Sequence, residues 1–133
     1  MIDNYLADLK LNHVGIIINR DSMISIERDS GNKFVHDKIQ GVYVCFVWDK
    51  YLNLYKEYIT KEGRVKNAKI GFNHICYDIE TLDEMKKIHS FLLKNRLGIR
   101  LTLPEPSPVK QCHYVSFYKI VGIGIVEFYI KEL

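Results

Sequence analysis

Hydrophobic and polar positions alternate along residues 72–79, FNHICYDI, as they do in a strand with one apolar face. Gly71 precedes the stretch and a helix signal follows it. Period two sends His74 to one face and Asn73 and Ile75 to the other. Nearly the same phrase stands at residues 11–18, LNHVGIII, where Leu11-Asn12-His13-Val14 matches Phe72-Asn73-His74-Ile75 position by position. Two strands that each carry a histidine after an asparagine point to a duplicated module.

The first half then predicts a short helix over Ser22–Arg28, opened by the turn residues Asn19-Arg20-Asp21-Ser22 and carrying a weak apolar stripe of Met23, Ile24 and Ile26. Ser30-Gly31-Asn32 should end it. A short strand over Lys33–Asp37 follows. The β-branched and aromatic run Gly41–Trp48 predicts a third strand, and a turn at Asp49-Lys50 returns the chain along Tyr51–Ile59. Polar residues 60–71 read as a linker. In the second half Thr81 and Glu84 have the spacing of a capping box, and Leu82, Met85, Ile88 and Leu92 make one apolar helix face, with Gly98 as the stop. Ile99–Leu103 reads as a short strand. A proline loop, PEPSPVKQC, and two strands, Tyr114–Ile120 and Ile123–Ile130, complete the chain. The order in each half is strand, helix, three strands. The halves align at two different offsets, so the first is shorter between its histidine and its third strand; the deletion falls in the helix or the second strand, in keeping with the weak helix signal there. The reading is an α+β protein with module 1 at 11–59, a linker at 60–71 and module 2 at 72–131.

Composition changes this picture little. A chain of 133 residues suits one such domain, and a net charge of +3 with mixed signs argues against nucleic acid. No window is apolar enough to span a membrane, and MIDNYLADLK is not a secretion signal. Cys45, Cys76 and Cys112 form no metal-type spacing, and an odd count favours reduced thiols in the cytoplasm.

The pattern resembles the vicinal oxygen chelate superfamily, which contains glyoxalase I, methylmalonyl-CoA epimerase and extradiol dioxygenases. The resemblance rests on His13 in NHVGI, His74 in NHICYDI before a capped helix, and Glu127 in GIGIVEFYI. PEPSPVKQCHYVSF and DKIQGV add to it. It implies two βαβββ modules forming a curved mixed sheet with a central cleft, and metal ligands from both modules. It also implies a divalent ion, zinc, nickel, cobalt, iron or manganese, all of which accept imidazole and carboxylate donors. The ligand candidates are His13, His74, Glu127 and a fourth residue.

A lone histidine on a strand is more often a packing residue than a ligand, but two at equivalent places in a repeat favour a shared site. Period two places Glu127 with Ile125 and Tyr129, opposite the apolar Val126, Phe128 and Ile130, so it is expected to face the cleft. For the fourth position, ungapped alignment of the halves sets Lys56 against Glu127. A charged lysine cannot ligate a metal. A slip of one residue substitutes Glu57, and a larger gap Asn53. Epimerase-type members carry an acid/base residue just before their QGV-like segment. Here Asp37 is the nearest acid, although a loop aspartate is ordinarily just solvated. The implied activity is metal-assisted proton transfer next to a carbonyl, as a lyase or isomerase, with Glu127 or Asp37 as base and a small molecule as substrate. The other reading is a small-molecule binding or resistance protein with a degraded metal site. A thinly covered face on strands 41–59, near Tyr43 and Tyr55, suggests a homodimer.

Overall fold

The computed structural model describes residues 6–107 and 113–132. The tail of the proline loop, with Cys112, and most of the N-terminal lead-in lie outside the described residues. The protein is α+β. Nine strands lie among the described residues: β1 (Lys10–Ile18), β2 (Val35–Asp37), β3 (Val42–Asp49), β4 (Leu54–Thr60), β5 (Gly71–Thr81), β6 (Gly98–Arg100), β7 (Glu105–Pro106), β8 (Tyr114–Ile120) and β9 (Gly124–Glu132). Two α-helices lie wholly within the described residues, α1 (Met23–Ser30) and α2 (Leu82–Lys94). No helix among them is long and apolar enough to cross a membrane.

The chain forms two compact units, His13–His74, and Met1–Asn12 with Ile75–Leu133. Strands β1 and β5 each give residues to both. In the unit of residues 13–74 the strand order is β2-β3-β4-β1, and β1 runs parallel to β4. The register sets Gly15 beside Glu57 and Ile17 beside Ile59, while across the β3–β4 hairpin Val44 faces Ile59 and Phe46 faces Glu57. One face therefore carries Ile17, Val44 and Ile59, which with Val42 make a small buried core. That face continues along the same strands to Glu57, Phe46, Gly15 and His13. Helix α1 has 8 residues, against 13 in α2, and buries none of them. Gly31 ends it in the left-handed conformation that glycine adopts at least cost, φ +76°.

In the other unit the order is β5-β9-β8-β6, with the two-residue β7 also on β8. Helix α2 starts as its sequence requires. The Thr81 hydroxyl accepts from the Glu84 amide at 3.2 Å, and the Glu84 carboxylate accepts from the Glu80 amide at 3.1 Å, one residue before the usual partner. Met85, Ile88 and Leu92 are buried against Val126, Phe128 and Ile130 of β9 and Tyr118 and Ile120 of β8. The end of the helix differs from the expectation. Gly98 is not the stop: Asn95 caps the helix and Arg96 takes the left-handed turn at φ 54°. Gly98 instead opens β6, where a Cβ would press on the Lys119 carbonyl oxygen at 2.9 Å.

Candidate metal centre

Within the unit of residues 13–74, three sequence-predicted donors meet. His13 Nε2 lies 3.2 Å from Glu57 Oε1, His74 Nε2 lies 3.6 Å from the same oxygen, and the two Nε2 atoms are 3.4 Å apart. Both imidazoles are buried, at 3% and 2% exposure, so their polar atoms meet protein rather than bulk water. Residues of this type and spacing form a group able to hold a metal ion.

Each donor has a structural cause. His13 and Glu57 come from neighbouring parallel strands and share the face built on Ile17 and Ile59. The Phe46 ring meets the His13 imidazole edge-on, with centroids 5.1 Å apart. The His74 ring lies over Gly15. A Cβ built on Gly15 would fall 2.7 Å from His74 Nε2, closer still to two other ring atoms, and inside any permitted contact. Gly15 thus leaves room for an imidazole directly on the strand backbone. Asn73 fixes how that ring is protonated. Strand alternation turns Asn73 away from His74, yet its Oδ1 sits 2.9 Å from His74 Nδ1. An amide oxygen can only accept, so Nδ1 carries the proton and Nε2 offers its lone pair toward His13 and Glu57.

The geometry fits a cation. An ion about 2.1 Å from each donor holds donors about 3.0 Å apart at octahedral angles and about 3.4 Å apart at tetrahedral ones. Two of the separations, 3.2 and 3.4 Å, lie in that range and the third, 3.6 Å, lies just beyond it, and two imidazoles with a carboxylate form a common donor set for divalent transition metals.

The register decides among the residues considered for the position next to the histidines. The β3–β4 connection is residues 50–53, and the β8–β9 connection is residues 121–123. The extra residue slips the first hairpin by one, so Glu57 faces Phe46 as Glu127 faces Phe117. Asn53 absorbs that residue in a left-handed turn, φ 57°. Lys56 turns to the opposite face from Glu57. There its ammonium is 3.2 Å from Asp49 Oδ2 and 5.3 Å from the Tyr58 ring centre. A hydrogen bond with Tyr58, together with the Asp49 carboxylate, holds Lys56 above the ordinary lysine pKa, so it stays a cation.

Glu127 belongs to the other unit. It is buried on β9 between Val126 and Phe128, and a carboxylate in such surroundings requires a cation or hydrogen-bond partners. Asp37 is also buried, and its carboxylate is engaged in its own turn. It accepts from the Ile39 amide at 3.0 Å, the Gln40 amide at 3.1 Å and the Gln40 side chain at 3.1 Å. It lies outside the histidine group. Sequence reasoning did not assign Asn73 and Gly15 to the site. Their signal was present in the repeated asparagine before each histidine and in the glycine of NHVGI.

No protein-family model matches the chain, and no curated protein does. Solved structures do. A hypothetical protein from Bacillus halodurans matches with TM-score 0.66 and 18% identity over 95% of this chain and 96% of that one. Methylmalonyl-CoA epimerase from Streptomyces coelicolor, in complex with 2-nitronate-propionyl-CoA, matches with TM-score 0.63 and 14% identity over 95% and 100%. A glyoxalase I mutant from Zea mays matches with TM-score 0.59 and 10% identity over 92% of this chain and 44% of that one. At such identities the likeness is one of fold.

Proposed function

The chain has the fold of the vicinal oxygen chelate superfamily, and on that premise we propose that it is a metal-dependent enzyme that moves a proton on the carbon next to a carbonyl. The observation that carries this reading is the convergence of His13, Glu57 and His74 at 3.2–3.6 Å. These three are proposed to hold a divalent ion, zinc, nickel, cobalt, iron or manganese. Glu127 is proposed as a fourth donor, because it occupies in its hairpin the register position that Glu57 occupies in its own. The bound ion would supply Lewis acidity toward two neighbouring oxygens of the substrate.

The chain's own residues do the rest. Asn73 keeps the His74 proton on Nδ1, so Nε2 remains a donor. Gly15 sets the depth of that ring. Phe46 shields the His13 imidazole from one side. Glu127 is proposed to take the proton from carbon and return it, either to the same carbon from another face or to its neighbour. Asp37 is not assigned this role, because three hydrogen bonds already engage its carboxylate. The complex of the Streptomyces coelicolor epimerase makes small acyl-CoA thioesters one substrate class to examine, beside α-hydroxycarbonyl compounds.

The test has two parts. Protein purified without chelator should contain close to one equivalent of divalent metal, and His74→Ala should lose it. Metal-loaded protein in deuterated water should exchange the α-proton of an acyl-CoA or α-hydroxycarbonyl substrate, followed by proton NMR. Exchange absent from both classes, with metal bound, would favour the alternative of a small-molecule binding or resistance protein. That alternative draws no support from Lys56, which pairs with Asp49 on the face opposite Glu57. We further propose a cytoplasmic protein, in keeping with an odd count of three cysteines, and a homodimer. The dimer reading draws on Trp48 and Tyr55, which meet edge-on with centroids 4.9 Å apart and are both about half exposed on the β3–β4 hairpin. A monomeric mass by light scattering at micromolar concentration would count against the dimer.

A further inference from the structure

A second, chemically different pocket lies entirely within the unit of residues 75–133. It has a volume of about 410 Å³ and is lined by Leu82, Met85, Lys86, His89, Ser90, Arg100, Pro104 and Tyr118. Its lining holds two permanent cations and no acid. Neither Lys86 nor Arg100 forms an ion pair with a carboxylate among the described residues.

Three of these side chains stand together, Arg100 and Tyr118 by strand register and Tyr118 and His89 by a hydrogen bond. Arg100 on β6 and Tyr118 on β8 are register partners, so their side chains lie side by side on one face. The Arg100 guanidinium is a donor only, and its positive charge acts on Tyr118 against the upward push of burial. Tyr118 is almost fully buried, and its oxygen lies 2.7 Å from His89 Nδ1. Burial keeps the phenol protonated, holding it above the ordinary tyrosine pKa. A hydroxyl donating to Nδ1 leaves the imidazole neutral, with its proton on Nε2. Burial first, and the positive charge of Arg100 second, hold His89 below the ordinary histidine value, which agrees with that state. The pocket offers Nε2–H, a guanidinium, an ammonium and a serine hydroxyl, against an apolar wall of Leu82, Met85 and Pro104.

We propose that this pocket binds a small organic carboxylate, its charged end on Arg100 and the Nε2–H of His89 and its apolar part on Leu82, Met85 and Pro104. A planar guanidinium fork matches two carboxylate oxygens. Mostly apolar walls with a few convergent donors, at a few hundred cubic ångströms, are the usual make-up of a small-ligand site. A carboxylate with a hydrocarbon tail suits these walls, because the fork of Arg100 meets its two oxygens and Leu82, Met85 and Pro104 meet its apolar part. The site is independent of the histidine group, and its test does not involve metal.

The probe is hexanoate, with hexanol as its neutral counterpart, titrated into the full-length protein and followed by amide NMR and calorimetry. Hexanoate should bind saturably and shift amides along Leu82–Ser90 and at Arg100. Hexanol should bind at least tenfold more weakly. Arg100→Gln changes an exposed side chain, so it should fold normally and weaken hexanoate at least tenfold. His89→Phe keeps a ring and removes the Nε2–H donor, and should weaken it several-fold. Glu57→Gln should bind hexanoate as wild type does. No saturable binding by wild type, equal affinity for hexanol, or full affinity in Arg100→Gln would each overturn the proposal.

Discussion

Gly15 and His74 are a matched pair: the imidazole of His74 occupies the volume that any side chain at position 15 would need. Gly15→Ala should therefore push the ring off the strand and separate Nε2 from Glu57 and His13. We expect metal affinity to fall at least tenfold. Overpacking a buried site should also lower stability by about 1–3 kcal/mol. Metal titration and thermal melting read the two effects separately. Unchanged affinity in Gly15→Ala would mean that the ring position does not matter to the ion.

Lys56 and Glu57 are neighbours in sequence with opposite roles in the structure. Glu57→Gln removes the shared carboxylate between two imidazoles and should weaken metal at least tenfold. Lys56→Gln removes a partly exposed, solvent-screened ion pair with Asp49 and should leave metal affinity as it was. A chelator competition titration on the two variants decides this. Tighter binding in Lys56→Gln would instead indicate a lysine-silenced site.

Much of this arrangement was legible in the chain. The repeated NH phrase located both histidines, and the capping box and apolar spacing located α2 with its buried Met85, Ile88 and Leu92. The fourth-position question was not legible, because it turned on one residue in a hairpin connection. Period-two patterns report which residues share a face but not how long the turn between two strands will be. Asn53 in a left-handed turn is the physical answer, and asparagine tolerates that conformation better than most residues. The partner of Asn73 was hidden for a similar reason. Alternation assigns side chains to faces, while a flexible amide at the start of a strand can reach round to its neighbour. Gly98 misled because two glycine uses, helix stop and close strand contact, look alike in sequence.

Asp37 offers a contrast between holding structure and doing chemistry. Its carboxylate accepts three hydrogen bonds that shape residues 38–41. Asp37→Ala leaves those donors without their acceptor and should cost about 2–4 kcal/mol, since bonds to a charged group contribute about 1.5–3 kcal/mol each and are not additive. Metal affinity of the folded variant should stay within about twofold of wild type. Chemical denaturation and metal titration test this together. A stable variant with normal metal content but no proton exchange would make Asp37 the base after all.

Asp49 gives the clearest dependence on pH. The Leu52 amide, the Lys56 ammonium and the Tyr51 amide hold its carboxyl below the ordinary value, the Leu52 amide most strongly and against some desolvation. A carboxyl whose folded pKa is depressed binds its proton more readily in the unfolded chain. Its contribution is therefore complete above the unfolded value, about 3.9, and is lost as pH falls through the lower folded value. Asp49→Asn keeps an oxygen for the two turn amides but cannot ionise or pair with Lys56. Wild type should melt higher than Asp49→Asn from pH 7 to pH 5, by a constant margin. The margin should close as pH falls below about 4, because protonated aspartate then resembles asparagine. The other carboxylates titrate alike in both proteins and cancel in the difference. Thermal melts at half-unit steps down to about pH 2.5 measure it. A margin that stays constant to the lowest pH would show that the Asp49 charge adds nothing to the hairpin.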